Sequence, residues 1–383
     1  MTKTSPNGWF RLNVWLHRWT SLIATIPFMV LCVTGTVLIF HEEIDHALGH
    51  EPQAHDSVPA EQRPLAEAVD TVHARFPDQQ VIASSFDPIG HPGMQLIITA
   101  LIGDGSFDKA RLHFVDLASG ELIGESDPAK TVTGFLLGLH AQWFLGPAGE
   151  LIGAFIALLV LISLLSGMVV YAPYVKRIAF GVVRRGRSPR LLQLDLHNFI
   201  GALILGWALV VTFTGLLLGF GSLALGVWQM TALGPMRDDA LQMQAVDSRN
   251  PPANIDRAFA AAEQAAPAGR RVLTMIYPGT DFSTPRHYTA VLAGREGLEK
   301  RMFSVAIVDA MTGELVLVPP VPWYIKAISV SEPLHFGDYG GLPLKILWTM
   351  CTWLTLFITL NGAWLWWNRH QRKRPNPAHE VNA

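Results

Sequence analysis

The chain has 383 residues and 42.1 kDa, is 50% hydrophobic but only 16% charged, and has a mean hydropathy of +0.29. Soluble domains carry about 25% charged residues, so this composition excludes disorder and points to an integral membrane protein. A net charge of −2 gives no general attraction to nucleic acid. Cys32 and Cys351 both fall inside apolar runs, which leaves no disulfide framework and no Cys-based zinc site.

A bilayer core of roughly 30 Å takes about 20 helical residues to cross. The first such run is Leu16–Phe40, with Lys3 and Arg11 before it and Arg18 at its start. Its apolar core is too long for a signal peptide and no small-residue cleavage site follows, so it is expected as a retained helix. Residues 41–139 are a polar insert with five Lys/Arg against sixteen Asp/Glu. It contains an amphipathic stretch at Leu65–Phe76, an alternating run at Gln95–Leu101, and Val115-Asp116-Leu117-Ala118-Ser119-Gly120-Glu121-Leu122. The last reads as strand, tight Asp-to-Gly turn, strand.

The second span is Ala148–Tyr174, followed by a loop carrying Lys176, Arg177, Arg184, Arg185, Arg187 and Arg190. The third is Asn198–Leu225. A second insert, 226–334, again shows an amphipathic stretch (Ile255–Ala265), an alternating run (His287–Leu292) and Val308-Asp309-Ala310-Met311-Thr312-Gly313-Glu314-Leu315. The fourth span, Leu342–Trp367, ends in a basic tail with Arg369, Arg372, Lys373 and Arg374.

Lys/Arg bias near span ends places both termini and the 175–196 loop in the cytoplasm and both inserts outside. Trp9, Trp15, Trp19, Trp364, Trp366 and Trp367 fit a cytoplasmic aromatic belt. The expected organisation is an N-terminus and first helix (1–40), a periplasmic module (41–139), a second helix (140–174), the loop (175–196), a third helix (197–225), a second module (226–334), and a fourth helix with tail (335–383). Each module is expected as one helix on a short antiparallel sheet.

The chain reads as one unit written twice. His17 precedes Gly35 by 18 residues, as His197 precedes Gly215. His140 precedes Gly167 by 27, as His335 precedes Gly362. The fold class is therefore a membrane protein with a four-helix bundle of two parallel repeats and two small periplasmic α+β modules. Two repeats related along the membrane normal put equivalent residues at one depth.

A lone interfacial histidine is ordinarily a polar cap; the pairing raises these four to candidate ligands. Opposed imidazoles at one depth suit axial coordination of haem iron, and glycines let a flat ligand approach a helix. Eighteen helical residues rise about 27 Å, so Gly35 and Gly215 reach the His140/His335 level, while Gly167 and Gly362 fall near His17/His197. Two haems are expected, one at each face. His41 is an interfacial anchor or a substitute external ligand. His46, His50, His55 and His73 read as solvated loop residues, and Ser or Thr before the glycines as bonded to the i−4 carbonyl.

The L-H…T-G helices, the V-D-x-x-[ST]-G-E-L elements and Leu334-His335-Phe336-Gly337-Asp338-Tyr339-Gly340-Gly341-Leu342-Pro343 resemble the PepSY-associated transmembrane helix family from about Trp15 to Trp367. Within it the chain is most similar to inner-membrane ferric-siderophore reductases of the ferrioxamine-uptake type. That resemblance implies an oxidoreductase with two b-type haems on His17, His197, His140 and His335. It would reduce a periplasmic Fe(III)–siderophore with electrons from a quinol or a cytoplasmic reductase. The element around His140 lacks the fuller glycine pattern around His335. Trp143, Phe144, Trp323, Tyr324, Phe336 and Tyr339 are candidate acceptor-facing aromatics. The rival expectation is a non-redox membrane-anchored protein whose modules bind peptides or regulate proteases.

Overall fold

The structure, a computed structural model, describes residues 8–50, 52, 63–86, 93–175, 180–185, 188–232, 234–294, 299 and 302–371. Lys3, His55, Lys176, Arg177, Arg187, Arg372, Lys373 and Arg374 lie outside these residues, as does the side chain of His370.

In chain order, α1 (Gly8–Leu38), α2 (His41–Ala47) and α3 (Leu65–Arg75) precede four strands, β1 (Gln79–Phe86), β2 (Met94–Leu101), β3 (Arg111–Asp116) and β4 (Leu122–Ser126). Five helices follow: α4 (Val132–Gln142), α5 (Pro147–Val175), α6 (Pro189–Leu218), α7 (Gly221–Ala232) and α8 (Gly234–Gln242). Then come α9 (Ile255–Ala265), β5 (Arg270–Ile276), β6 (His287–Gly294), β7 (Ser304–Asp309), β8 (Leu315–Leu317), α10 (Trp323–Phe336) and α11 (Gly341–Gln371). The chain divides into two compact units: Met1–Ile39 with Leu139–Phe220 and Leu334–Ala383, and Phe40–Gly138 with Gly221–Pro333.

In the first unit α1, α5, α6 and α11 are each long and apolar enough to cross a membrane, and the chain is a multi-pass membrane protein. They pack in the cyclic order α1–α5–α6–α11, so α1 faces α6 across one diagonal and α5 faces α11 across the other. Two spans differ from expectation. The first begins at Gly8, because the apolar pattern extends through the tryptophans before Leu16. The third begins at Pro189, where Ser188 caps the helix by accepting from the Leu191 amide and Pro189 occupies the first turn. It ends at Leu218 rather than Leu225. Gly219 and Gly221 weaken the helix there, and a Cβ on Gly219 would lie 2.8 Å from that of Ala154 and 2.9 Å from the Glu150 carbonyl. The residues after that break form α7 instead.

In the second unit the two inserts do not make two separate sheets. They form one eight-stranded antiparallel sheet in the order β4-β3-β2-β1-β5-β6-β7-β8. The seam is the β1–β5 pair, in register Ala83↔Ile276, Ser84↔Met275 and Ser85↔Thr274. Because the strands continue one sheet, both inserts share one side of the bilayer. Helices α3 and α9 cover a common core. Val72, Ala258 and Ala262 pack on Val81, Ile97, Val115, Met275, Tyr288 and Val308, all buried. The Asp256 carboxylate of α9 accepts from the Leu65 and Ala66 amides, satisfying otherwise orphaned donors at the start of α3.

The two Val-Asp…Gly-Glu elements are turns of the expected kind. Asp116 Oδ1 accepts from the amides of Ala118 and Ser119 at 3.0 and 2.7 Å. Asp309 Oδ1 accepts from those of Met311 and Thr312 at 2.6 and 3.2 Å. Gly120 and Gly313 take φ of 74° and 71°, which explains glycine at both. Burial pushes the Asp309 carboxyl up, but the Met311 amide and the Arg286 guanidinium outweigh it and hold it below its ordinary value.

Candidate paired-histidine centres

The helical unit brings the four histidines together as two pairs. His17 on α1 and His197 on α6 face each other across one diagonal, ring centres 6.3 Å apart and planes at 75°. His140 on α4 and His335 on α10 stand 6.4 Å apart at 60°. Each imidazole lies on a glycine. A Cβ built on Gly167 would sit 3.1 Å from His17 Cε1, on Gly362 3.3 Å from His197 Cε1, on Gly35 3.1 Å from His140 Cε1, and on Gly215 2.8 Å from His335 Cε1. These four glycines therefore make room for the histidine itself, one helix over.

One edge of three rings is fixed by hydrogen bonding. His17 Nδ1 donates to the Ser163 carbonyl at 2.8 Å, and His335 Nδ1 to the Val211 carbonyl at 2.9 Å. Each acceptor is four residues before the glycine beneath the ring. Thr34 Oγ1 gives its proton to the Val30 carbonyl at 2.7 Å and accepts from His140 Nδ1 at 2.8 Å. Thr214 bonds the Val210 carbonyl likewise and lies 3.3 Å from His335 Nδ1. Thr34 and Thr214 thus satisfy the i−4 carbonyl, as expected, and also touch the imidazoles. His197 Nδ1 is buried outside hydrogen-bond geometry. With Nδ1 as donor, Nε2 carries the free lone pair. Among the described residues no hydrogen bond reaches Nε2 in any of the four.

This donor set fits a metal held by two axial imidazoles. A histidine nitrogen bonds a first-row metal at about 2.0–2.1 Å. With the ring centre about 1.1 Å behind that nitrogen, two opposed ligands place their centres a little over ~6 Å apart. Both observed spacings match. A nitrogen lone pair turned inward with the other ring nitrogen tied to a carbonyl or hydroxyl is the arrangement that orients histidine ligands. Among the described residues no three His, Cys, Asp or Glu side chains converge as a self-sufficient metal site, so any metal here brings its own equatorial ligands. His46, His50 and His73 form no such group. His41 opens α2 in the sheet-bearing unit, whereas His140 already faces His335.

The candidate acceptor-facing aromatics divide. Phe336 stacks edge-on to His335, ring centres 6.0 Å apart. Tyr339 lies 6.4 Å from Trp348, whose indole also covers Gly337. Trp143 and Phe144 form the turn from α4 to α5 with φ of 50° and 57°, a left-handed pair that is costly for non-glycine residues. Trp323 is 79% exposed, but Tyr324 is partly buried against the cluster of Trp228, Val305 and Ile325.

At the His197 end, the buried Asp195 carboxylate accepts from Tyr174 Oη at 2.5 Å and from Arg184 Nη2 at 2.6 Å, Nε at 2.9 Å and backbone N at 3.0 Å. This closes the end of α5 and its loop onto α6 two residues before His197. Neither that clamp nor the carbonyl acceptors Ser163 and Val211 stand out in the sequence, since the groups involved are backbone atoms or residues far apart in the chain.

Comparison with curated proteins returned no match. The family described as the PepSY-associated TM region matches residues 14–369, a stretch that takes in all but the outermost ends of the four spans, both inserts and all four paired histidines. The chain belongs to that family.

Proposed function

We propose that this protein is a haem-containing inner-membrane reductase that passes electrons across the bilayer to a ferric siderophore in the periplasm. In this reading the bundle consists of two parallel repeats, and the sheet is made of two PepSY-like modules, one from each. One b-type haem is held by His17 and His197 on the cytoplasmic side and another by His140 and His335 on the periplasmic side. The observation that carries it is the two facing imidazole couples, 6.3 and 6.4 Å between ring centres, each ring seated on a glycine.

A bound haem supplies a one-electron Fe(III)/Fe(II) couple. The protein's part is positional. Ser163, Val211 and Thr34 hold the Nδ1 protons and turn Nε2 inward. Gly167, Gly35, Gly215 and Gly362 let the rings sit close to the neighbouring helices. The four apolar spans keep water out. Lys/Arg bias sets the direction, with Arg184, Arg185, Arg190 and Arg369 at the cytoplasmic ends. The substrate Fe(III)–siderophore is held by hard oxygen donors, and one added electron gives Fe(II), which those donors bind less tightly and exchange faster. Electrons would come from a quinol or a cytoplasmic reductase.

The test is the visible spectrum of the purified protein. A Soret band with sharp reduced α-bands, and reoxidation of pre-reduced protein by an anaerobic ferric siderophore, are the expected results. Colourless, fully inserted protein would sink the proposal in favour of a non-redox, peptide-binding role for the sheet.

A further inference from the structure

The apolar run that opens the third span does not stop where the span stops. No charged residue lies between Asp195 and Arg237, a stretch roughly twice as long as one crossing needs. Helix α6 ends at Leu218 and the chain turns at once. The Gly219 amide donates to the Gly215 carbonyl and the Phe220 amide to the Leu217 carbonyl, both at 3.1 Å, and α7 begins at Gly221. Three residues reach at most about 11 Å, so α7 starts at the membrane surface. It has two apolar faces. One is taken: Trp228, 3% exposed, lies with Ala224 and Leu225 in a cluster with Phe303, Val305 and Ile325. The other is bare. Leu223, Val227 and Met230, 55%, 37% and 69% exposed, recur at i, i+4 and i+7 and so form one stripe. Ser222 and Gln229 fill the sector between, and Gln229 Nε2 donates to the Asp281 carbonyl at 3.4 Å.

We infer that α7 is an interfacial helix that seats Leu223, Val227 and Met230 in the lipid of the leaflet where α6 ends. Continuity with the span selects lipid as the occupant, because the stripe begins where the lipid contact of α6 leaves off. A helix lying in this way buries its apolar face about 5–10 Å into the boundary between headgroups and acyl chains. Such helices ordinarily present a charged face to water. Here the face packed on the Phe303, Val305 and Ile325 cluster replaces it and holds the helix at the surface. The sheet-bearing unit therefore makes a lipid contact of its own, and this holds whether or not the paired histidines carry haem.

The experiment is nitroxide accessibility in the full-length protein, reconstituted in vesicles of phosphatidylcholine and phosphatidylglycerol on a Cys32→Ala, Cys351→Ala background. Single labels go on Leu223→Cys, Val227→Cys and Met230→Cys. Ser222→Cys on the same helix and Thr312→Cys on an exposed turn of the sheet serve as references. Oxygen concentrates in lipid, whereas a nickel chelate stays in water. The stripe labels are expected to relax strongly with oxygen and weakly with nickel, the reverse of Thr312→Cys, with Ser222→Cys between them. Stripe labels that respond to nickel as Thr312→Cys does overturn the inference, because the face is then in water. Shielding from both reagents also overturns it. With dipolar broadening between labels the occupant is a second copy, and without it another protein surface. The three positions are exposed and carry the same expectation, so if one variant does not assemble the other two decide.

Discussion

Gly215→Ala is the sharpest steric test of the paired-histidine site. The new Cβ would lie 2.8 Å from His335 Cε1 and 3.3 Å from Nδ1, against an ordinary contact limit of 3.4 Å. The ring must retreat by 0.6 Å, and it is poorly placed to do so, because Nδ1 is tied to the Val211 carbonyl at 2.9 Å. Overpacking of this kind costs about 1–3 kcal/mol, and each 1.4 kcal/mol is tenfold in an equilibrium. The hold on the outer haem should therefore weaken by roughly 10- to 100-fold. Alanine also favours the helix over glycine by about 0.8–1 kcal/mol, so the fold itself should survive. The assay is the haem-to-protein ratio after purification together with the rate of haem transfer to an apoprotein acceptor. Gly35→Ala and Gly167→Ala, short by 0.3 Å, should fall between it and Gly362→Ala, short by 0.1 Å. An outer haem held as tightly in Gly215→Ala as in the parent, or a larger loss in Gly362→Ala, would refute the reasoning.

His17→Ala and His335→Ala should each remove one haem, and the two residual spectra should differ; loss of the same species in both rejects the pairing. Met275→Ala, at the buried centre of the β1–β5 seam, should cost about 2–5 kcal/mol and lower the unfolding temperature of the sheet-bearing unit, read by protection from proteolysis on heating. Burial, aided by Arg111, lowers His113 to about 4, below its ordinary 6.5. The folded unit then binds fewer protons than the unfolded chain between these values, so stability should fall as pH drops from about 6.5 towards 4. His113→Gln should flatten that acid limb in thermal unfolding at pH 7 and pH 5, leaving the share due to His73 and His287, which burial also lowers. An unaltered slope would count against this assignment.

The spans and the histidine pairs were readable because each rests on a local or strictly spaced signal. A run of twenty apolar residues has few alternatives to a helix, and the intervals from His to Gly survive unequal inserts. The end of α6 was not readable by hydropathy, since Gly219–Leu225 stays apolar through a break made by glycine and close packing. The seam was hidden for a different reason. Gln79–Phe86 and Arg270–Ile276 were not among the runs whose alternation marked a strand, and nothing in either names a partner nearly two hundred residues away. That each of the four glycines lies against a histidine of another helix was not legible either, because the two are brought together only by packing.

The seam also dictates an order of events. Strand β1 is finished when Phe86 leaves the ribosome, but its partner β5 begins at Arg270, with α5 and α6 still to be inserted between them. At about 5–20 residues per second, that gap lasts on the order of 10–40 s. During it Ala83, Ser84 and Ser85 present an unpaired strand edge, the feature that recruits unintended partners. Half-synthesised chains should therefore be the sticky species, and a truncation after α6 should aggregate or be degraded even though each of its helices is complete.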